Sequence, residues 1–224
     1  MIRKIKKLIM IVAPLALVFF ICHVSSLEAA DKKYTLVIDA AHGGSDKGVK
    51  ITEKISEKDI TLELALAIKE ELSKESNIKT VLTRDDDSDL SKESRKKIAN
   101  EVKADFVLII HINSGFGRNA SGFELYYPGF GEDLKNSDQR KIRSLNESVK
   151  MSHLIQRNLD AIFPRKGRGL REAELPMFDG LHTPALVVEI GFGSNRADRR
   201  KLLSSKSQAE IAQALSKSII TYFR

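Results

Sequence analysis

Short apolar runs alternate with segments of helical spacing along most of the chain. Residues 34–39 (YTLVID) read as a buried strand. Residues 57–74 follow with Ile60, Leu64, Ala67, Ile68 and Leu72 at helical intervals. The pattern then predicts a strand over 78–84 and a helix over 90–102, separated by the acidic loop DDDSD. Residues 104–112 (ADFVLIIHI) are almost continuously apolar, as in a strand covered on both faces. A strand over 122–128 (GFELYYP), a helix over 143–163, a buried strand over 184–192 and an amphipathic helix over 208–222 complete the series. Alternating strands and helices point to a single α/β domain: three layers, with a twisted, mostly parallel sheet flanked by helices. Residues 128–143 are polar and charged and read as a surface insertion; nothing marks a second folded domain.

Residues 1–30 break this pattern. MIRKIKK supplies four positive charges, residues 8–22 are wholly apolar, and small residues follow at Ser25, Ser26, Ala29 and Ala30. That layout is expected of a secretory signal cleaved near residue 29 or 30, leaving 31–224 as the folded domain. An uncleaved N-terminal anchor is the competing reading, and membrane contact is expected only through this segment. Cys22 is the sole cysteine, so the exported domain would hold neither disulfide nor thiolate. Any metal site in it must use His, Asp and Glu. The segment has four basic residues and one acidic residue, so its loss takes the net charge from +7 to +4. A mildly basic domain suits an anionic envelope polymer. The charge is too small and scattered to argue for nucleic acid, and no aromatic–basic interleaving accompanies it.

Three strands carry a chemically capable residue at or just beyond their C-terminal ends: His42, His111 and Glu189. In open parallel sheets that rim is where ligands sit. Glu57 opens the first long helix and could face the same rim. Two imidazoles and one carboxylate form a ligand set for catalytic zinc, which makes a bound water acidic. A further glutamate can move the proton to a leaving amine. Each residue also has a plainer reading. His42 could be a turn residue, Glu57 could only complement a helix dipole, and Glu189 could sit in a structural ion pair. His111 is the more telling, because a histidine ending FVLII is costly unless hydrogen-bonded or metal-bound. His153 falls on an amphipathic helix and reads as a surface position. Asn113, Arg168, Arg171 and His182 are candidate substrate-binding residues, with an ordinary loop role competing at His182.

VIDAAHGGSDKG, EKDITLELALAIKEEL, VLTRDDD, ADFVLIIHIN, GFELYY, RGLREAELPMF and TPALVVEIGFGSN occur in that order. Together they resemble the zinc-dependent N-acetylmuramoyl-L-alanine amidases of bacterial cell walls, from about residue 34 to the C-terminus. The resemblance implies one Zn2+ per chain held by His42, Glu57 and His111, with Glu189 as the catalytic residue. It implies cleavage of the amide between the lactyl group of N-acetylmuramic acid and L-alanine. Peptidoglycan would be the substrate, the chain acting as a monomer, with a protein activator as a further partner. The location would be the periplasm or the cell wall and exterior. Two other functions stay open: a catalytically silent peptidoglycan-binding protein, and a zinc peptidase acting within the stem peptide. The family usually has glycine where this chain has Ala41, an added cost of about 1 kcal/mol if that position has positive φ. Residues 128–143 are short for a helix that would block the metal, so an open site is expected. The glycines after His42 are expected to leave room for metal, water and polymer.

Overall fold

A computed structural model describes residues 32–129, 139–164 and 166–224. The signal segment, residues 1–30, lies outside the described residues, as do residues 130–138 of the insertion. Tyr34–Arg224 forms one compact unit. Its strands are β1 (Tyr34–Ala40), β2 (Ile78–Leu82), β3 (Phe106–Asn113), β4 (Phe123–Pro128), β5 (Gly167–Ala173) and β6 (Ala185–Phe192). Its helices are α1 (Glu57–Leu72), α2 (Lys92–Glu101), α3 (Gln139–Leu159), α4 (Arg196–Leu202) and α5 (Ser205–Phe223).

The strands form one six-stranded sheet in the order β2-β1-β3-β6-β4-β5. β2, β1, β3 and β6 are mutually parallel, and β4 joins β6 antiparallel while pairing β5 in parallel. The mostly parallel sheet read from the sequence is therefore correct, with one antiparallel junction. α3 runs four residues earlier than the hydrophobic spacing indicated, at Gln139–Leu159. β5 and α4 were not visible in the apolar pattern, for reasons taken up in the Discussion.

Strand periodicity divides the core into two faces. Leu36, Ile38, Leu108, Ile110, Val188 and Ile190 pack with Ile60, Leu64 and Ile68 of α1, Ile155 of α3 and Leu215 of α5. The alternate residues Val37, Val107, Ile109 and Val187 meet Ala99 of α2 and Phe178 on the other face. Continuing the alternation puts Asp39, His111, Glu189 and Glu124 on this second face, toward the strand ends. The candidate residues thus fall where β1, β3 and β6 run out from under α2.

Candidate metal centre

The path out of β1 sets the first histidine. His42 has φ 63°, the left-handed region, and Gly43 and Gly44 follow with φ 141° and 56°. Such a conformation disfavours a residue with a Cβ. It is held because two arginines, Arg84 buried and Arg95 nearly so, occupy the carbonyls that the sheet no longer pairs. Arg84 Nε donates to Ala40 O at 2.9 Å and its Nη2 to Ala41 O at 3.2 Å. Arg95 Nη1 donates to Ala40 O at 2.7 Å and its Nη2 to His42 O at 2.6 Å. Arg95 Nη1 also meets Asp39 Oδ1 at 2.6 Å, so Asp39 anchors one of the clamps. Ala41 lacks positive φ; the strained residue is His42 itself. The alanine therefore carries no backbone penalty, and it is buried with its carbonyl bonded to Thr61 Oγ1 at 2.8 Å.

The glycines at 43 and 44 are required by the packing of the loop itself. A Cβ at Gly43 would stand 2.3 Å from Ser88 O, and one at Gly44 would stand 2.4 Å from the Asp89 carboxylate. The loop is pinned there: Gly44 N donates to Asp87 Oδ1 and Ser45 N to Asp89 Oδ1, both at 2.8 Å. The acidic loop DDDSD is thus a brace for the His42 loop, not only a solvated turn. Gly48, with φ 62°, lies against His42 and Glu57, where a Cβ would be 2.6 Å from the imidazole and 2.5 Å from Glu57 Oε2.

α1 brings in the carboxylate. Its start is fixed by Asp59, whose side chain accepts the Ser56 backbone N–H at 2.8 Å. Glu57, 1% exposed, then reaches across the end of β3. Its Oε1 accepts from Ile112 N at 2.8 Å and contacts His111 Nδ1 at 2.9 Å. Its Oε2 accepts from Val49 N at 2.9 Å and lies 3.2 Å from His42 Nε2. Burial alone would raise the Glu57 pKa, but hydrogen bonds from His111 and His42 prevail and bring it to about 2. Burial disfavours protonated His42, yet Glu57 and Asp46 outweigh it and raise the imidazole above its ordinary value. His42 Nδ1 bonds Asp46 Oδ2 at 2.8 Å. That is the orientation by a carboxylate that metal-binding histidines commonly receive.

One ligand atom each of His42, Glu57 and His111 lies within 4.8 Å of the others. Nitrogen and carboxylate donors at that separation, one imidazole already oriented from behind, fit a divalent ion such as zinc. The Glu189 carboxyl stands beside them, in register with His111 on the neighbouring strand. Its Oε2 is buried without a hydrogen-bond partner among the described residues. Burial raises its pKa to about 7, with the Glu57 and Glu124 charges adding to the shift and the two histidines opposing it.

Asn113 and Arg168 do approach the site, but through a residue the sequence reading missed. Glu124, buried on β4, pairs across the strands with Glu189. It accepts from Asn113 Nδ2, Tyr126 OH and Arg168 Nε, each at 2.7 Å, and Arg171 Nη2 lies 3.9 Å away. His182 stands apart from these residues. It is exposed and lies ahead of β6, whereas Glu189 is near the opposite end of that strand. At roughly 3.3 Å per residue the two are some 20 Å apart along the chain. Among the described residues His182 bonds to Asn100 and makes no contact with His42, Glu57, His111 or Glu189. His153 is exposed on α3, as expected.

The model of the N-acetylmuramoyl-L-alanine amidase family matches residues 36–221. The uncharacterized protein YqiI of Bacillus subtilis is 33% identical over 84% of this chain and 84% of its own length. An N-acetylmuramoyl-L-alanine amidase from Clostridium difficile 630 superposes with a TM-score of 0.74 at 28% identity, over 85% of this chain and 97% of that one. The CwlD amidase from Clostridioides difficile, solved in complex with the GerS lipoprotein, gives 0.71 at 25% identity, over 85% and 98%. With its fold, its order of motifs and nearly all of residues 34–224 accounted for, the chain belongs to the N-acetylmuramoyl-L-alanine amidase family.

Proposed function

We propose that this chain is an exported, zinc-dependent peptidoglycan hydrolase. It cleaves the amide between the lactyl group of N-acetylmuramic acid and L-alanine, freeing the stem peptide. The observation that carries this reading is the convergence of His42, Glu57 and His111 beside a buried, partnerless carboxyl oxygen of Glu189. In the proposed division of labour the first three residues hold one Zn2+ and Glu189 handles protons. Zinc there supplies a Lewis acid for the scissile carbonyl and lowers the pKa of a water. Glu189 has a pKa of about 7 in the metal-free protein, and a cation beside it would favour the carboxylate, which can accept a proton from the attacking water near neutral pH. The same carboxylic acid then delivers it to the departing alanine nitrogen, which must leave as an amine. Glu57, held ionised by its hydrogen bonds, stays an acceptor throughout and is unsuited to that relay. Asp46 keeps His42 turned toward the centre.

Residues 1–30 fit the reading as an export signal, since the substrate lies outside the cytoplasmic membrane. Among the described residues no helix is long and apolar enough to cross a membrane. A protein activator is a further part of the proposal, prompted by the CwlD–GerS complex. Mass spectrometry of products from purified peptidoglycan tests the bond assignment. An amidase releases an intact stem peptide with a free alanine amino terminus. Fragments cut inside the peptide would make the chain a peptidase instead.

A further inference from the structure

A polar row crosses four strands on the face that carries the metal centre. β3 contributes His111, β6 Glu189 and β4 Glu124, aligned by the pairings His111↔Glu189 and Glu124↔Glu189. β5 ends the row with Arg168, whose Nε donates to Glu124 Oε1 at 2.7 Å. Arg171 Nη2 lies 3.9 Å from the same oxygen. Two guanidiniums thus converge on a single carboxylate that is 5% exposed. The other oxygen of that carboxylate is already taken by Asn113 and Tyr126. Glu124 is the one carboxylate among the described residues in ion-pair contact with these two guanidiniums, so between them they carry more positive charge than it offsets.

The arrangement is built to present that charge outward. The Arg168 guanidinium carbon sits 5.5 Å from the Phe192 ring centroid, which supports the plane from one side. Its Nε is fixed by Glu124, and among the described residues neither of its Nη atoms has a partner. The Arg168 and Arg171 side chains are 43% and 51% exposed. A guanidinium anchored through Nε with both Nη atoms free is shaped for two-point recognition of a carboxylate.

The chemistry of the substrate says which carboxylate. In a muramoyl-alanine amide the lactyl carboxyl of the sugar is consumed in the scissile bond. The remaining groups on the sugar are hydroxyls, ethers and an acetamide, all neutral. Acidic groups therefore belong to the peptide. We infer that Arg168 and Arg171, positioned by Glu124, form a subsite for a carboxylate on the peptide side of the scissile amide. The inference rests on the amidase reading, and it orients the substrate: peptide over β4 and β5, sugar on the far side of the metal centre toward β1 and α2.

The test uses two soluble muramoyl peptides that differ only in whether their peptide carboxylates are free or converted to primary amides. Binding of both is measured by calorimetry to zinc-loaded Glu189→Gln protein, which binds without turning over. The free acid should bind about tenfold to a hundredfold tighter than the amide, the value of one or two charged hydrogen bonds. Adding Arg171→Gln should reduce that preference at least fivefold. This variant strips a half-exposed side chain from a 3.9 Å contact and keeps the fold. Adding Arg168→Gln should reduce the preference further, and Arg168→Lys should restore charge but only part of the discrimination. Equal binding of acid and amide, or a preference that survives both glutamine substitutions, overturns the subsite. Failure of the wild type to cleave either compound would count against the amidase reading, while the binding ratio still judges the subsite.

Discussion

Glu189→Gln should abolish peptide release and, in the metal-free protein, raise stability at alkaline pH. Glu189 has a folded-state pKa of about 7 against an ordinary value of 4.5. A carboxyl whose pKa is raised by folding costs stability once pH exceeds its unfolded value, because the unfolded chain then ionises more readily. The cost begins near pH 4.5, grows to pH 7 and is constant above it. With roughly 1.4 kcal/mol for each pH unit, the full difference is about 3 kcal/mol. Glutamine keeps the shape and removes the ionisation. For a domain of this size that corresponds to roughly 6–12 °C in Tm. Thermal unfolding of both proteins in excess chelator, at pH 4 and pH 8.5, is the measurement. The variant should match the wild type at pH 4 within about 1 kcal/mol and exceed it by about 3 kcal/mol at pH 8.5. Glu57 and the histidines are present in both proteins, and their charges enter the comparison through their part in the Glu189 shift. A stability difference that does not change with pH, or a variant less stable at pH 8.5, would refute the buried, neutral carboxyl on which the proton relay rests.

Three further substitutions probe the supports of the site. Gly48→Ala puts a Cβ 2.5 Å from Glu57 Oε2 at a φ of 62°, so zinc affinity measured by competition with a chromophoric chelator should fall at least about tenfold. Arg95→Leu removes the donor to His42 O, one of two donors to Ala40 O, and the guanidinium paired with buried Asp39, whose Oδ1 keeps only the Thr83 hydroxyl at 2.6 Å. It should cost about 3 kcal/mol or more in urea unfolding and weaken zinc binding as well, although Arg95 never meets the metal. Asp198→Ala leaves the buried N–H groups of Gly122 and Phe192 without their shared acceptor. About 2–4 kcal/mol of stability should go with little change in zinc affinity, and Asp198→Asn should lose less than half as much.

The parts of the site that could be read from the sequence were those where polarity interrupts a buried run. His111 and Glu189 stand out because every neighbour in FVLII and ALVV is apolar, and two parallel strands carry them in register. Glu57 gave no such signal. It begins a helix as many glutamates do, and only the fold-back of residues 43–56 brings it onto the end of β3. Glu124 was hidden for a related reason. In FELYYP the alternation Phe123–Leu125 against Glu124–Tyr126 resembles a strand with one wet face. That face is buried, and Arg168 from β5 supplies the missing partner. β5 itself (GRGLREA) is an edge strand with exposed positions, so no hydrophobic period marks it. α4 (RADRRKL) is short and basic, and its only deeply buried residues are Asp198 and Leu202. Arg84 and Arg95 look like solvent-facing charges in the sequence. They are drawn inward because β1 ends in a left-handed residue whose flanking carbonyls need donors. The Ala41 departure proved harmless because the strain is at His42.

Bound zinc and released stem peptide, measured on the same preparations of wild type, Glu57→Gln and Glu189→Gln, test the division of labour most directly. The wild type should hold one zinc and release peptide. Glu57→Gln should lose both, and Glu189→Gln should keep its zinc while releasing nothing. Peptide release by Glu189→Gln, or undiminished release by wild type stripped of metal, would contradict the account.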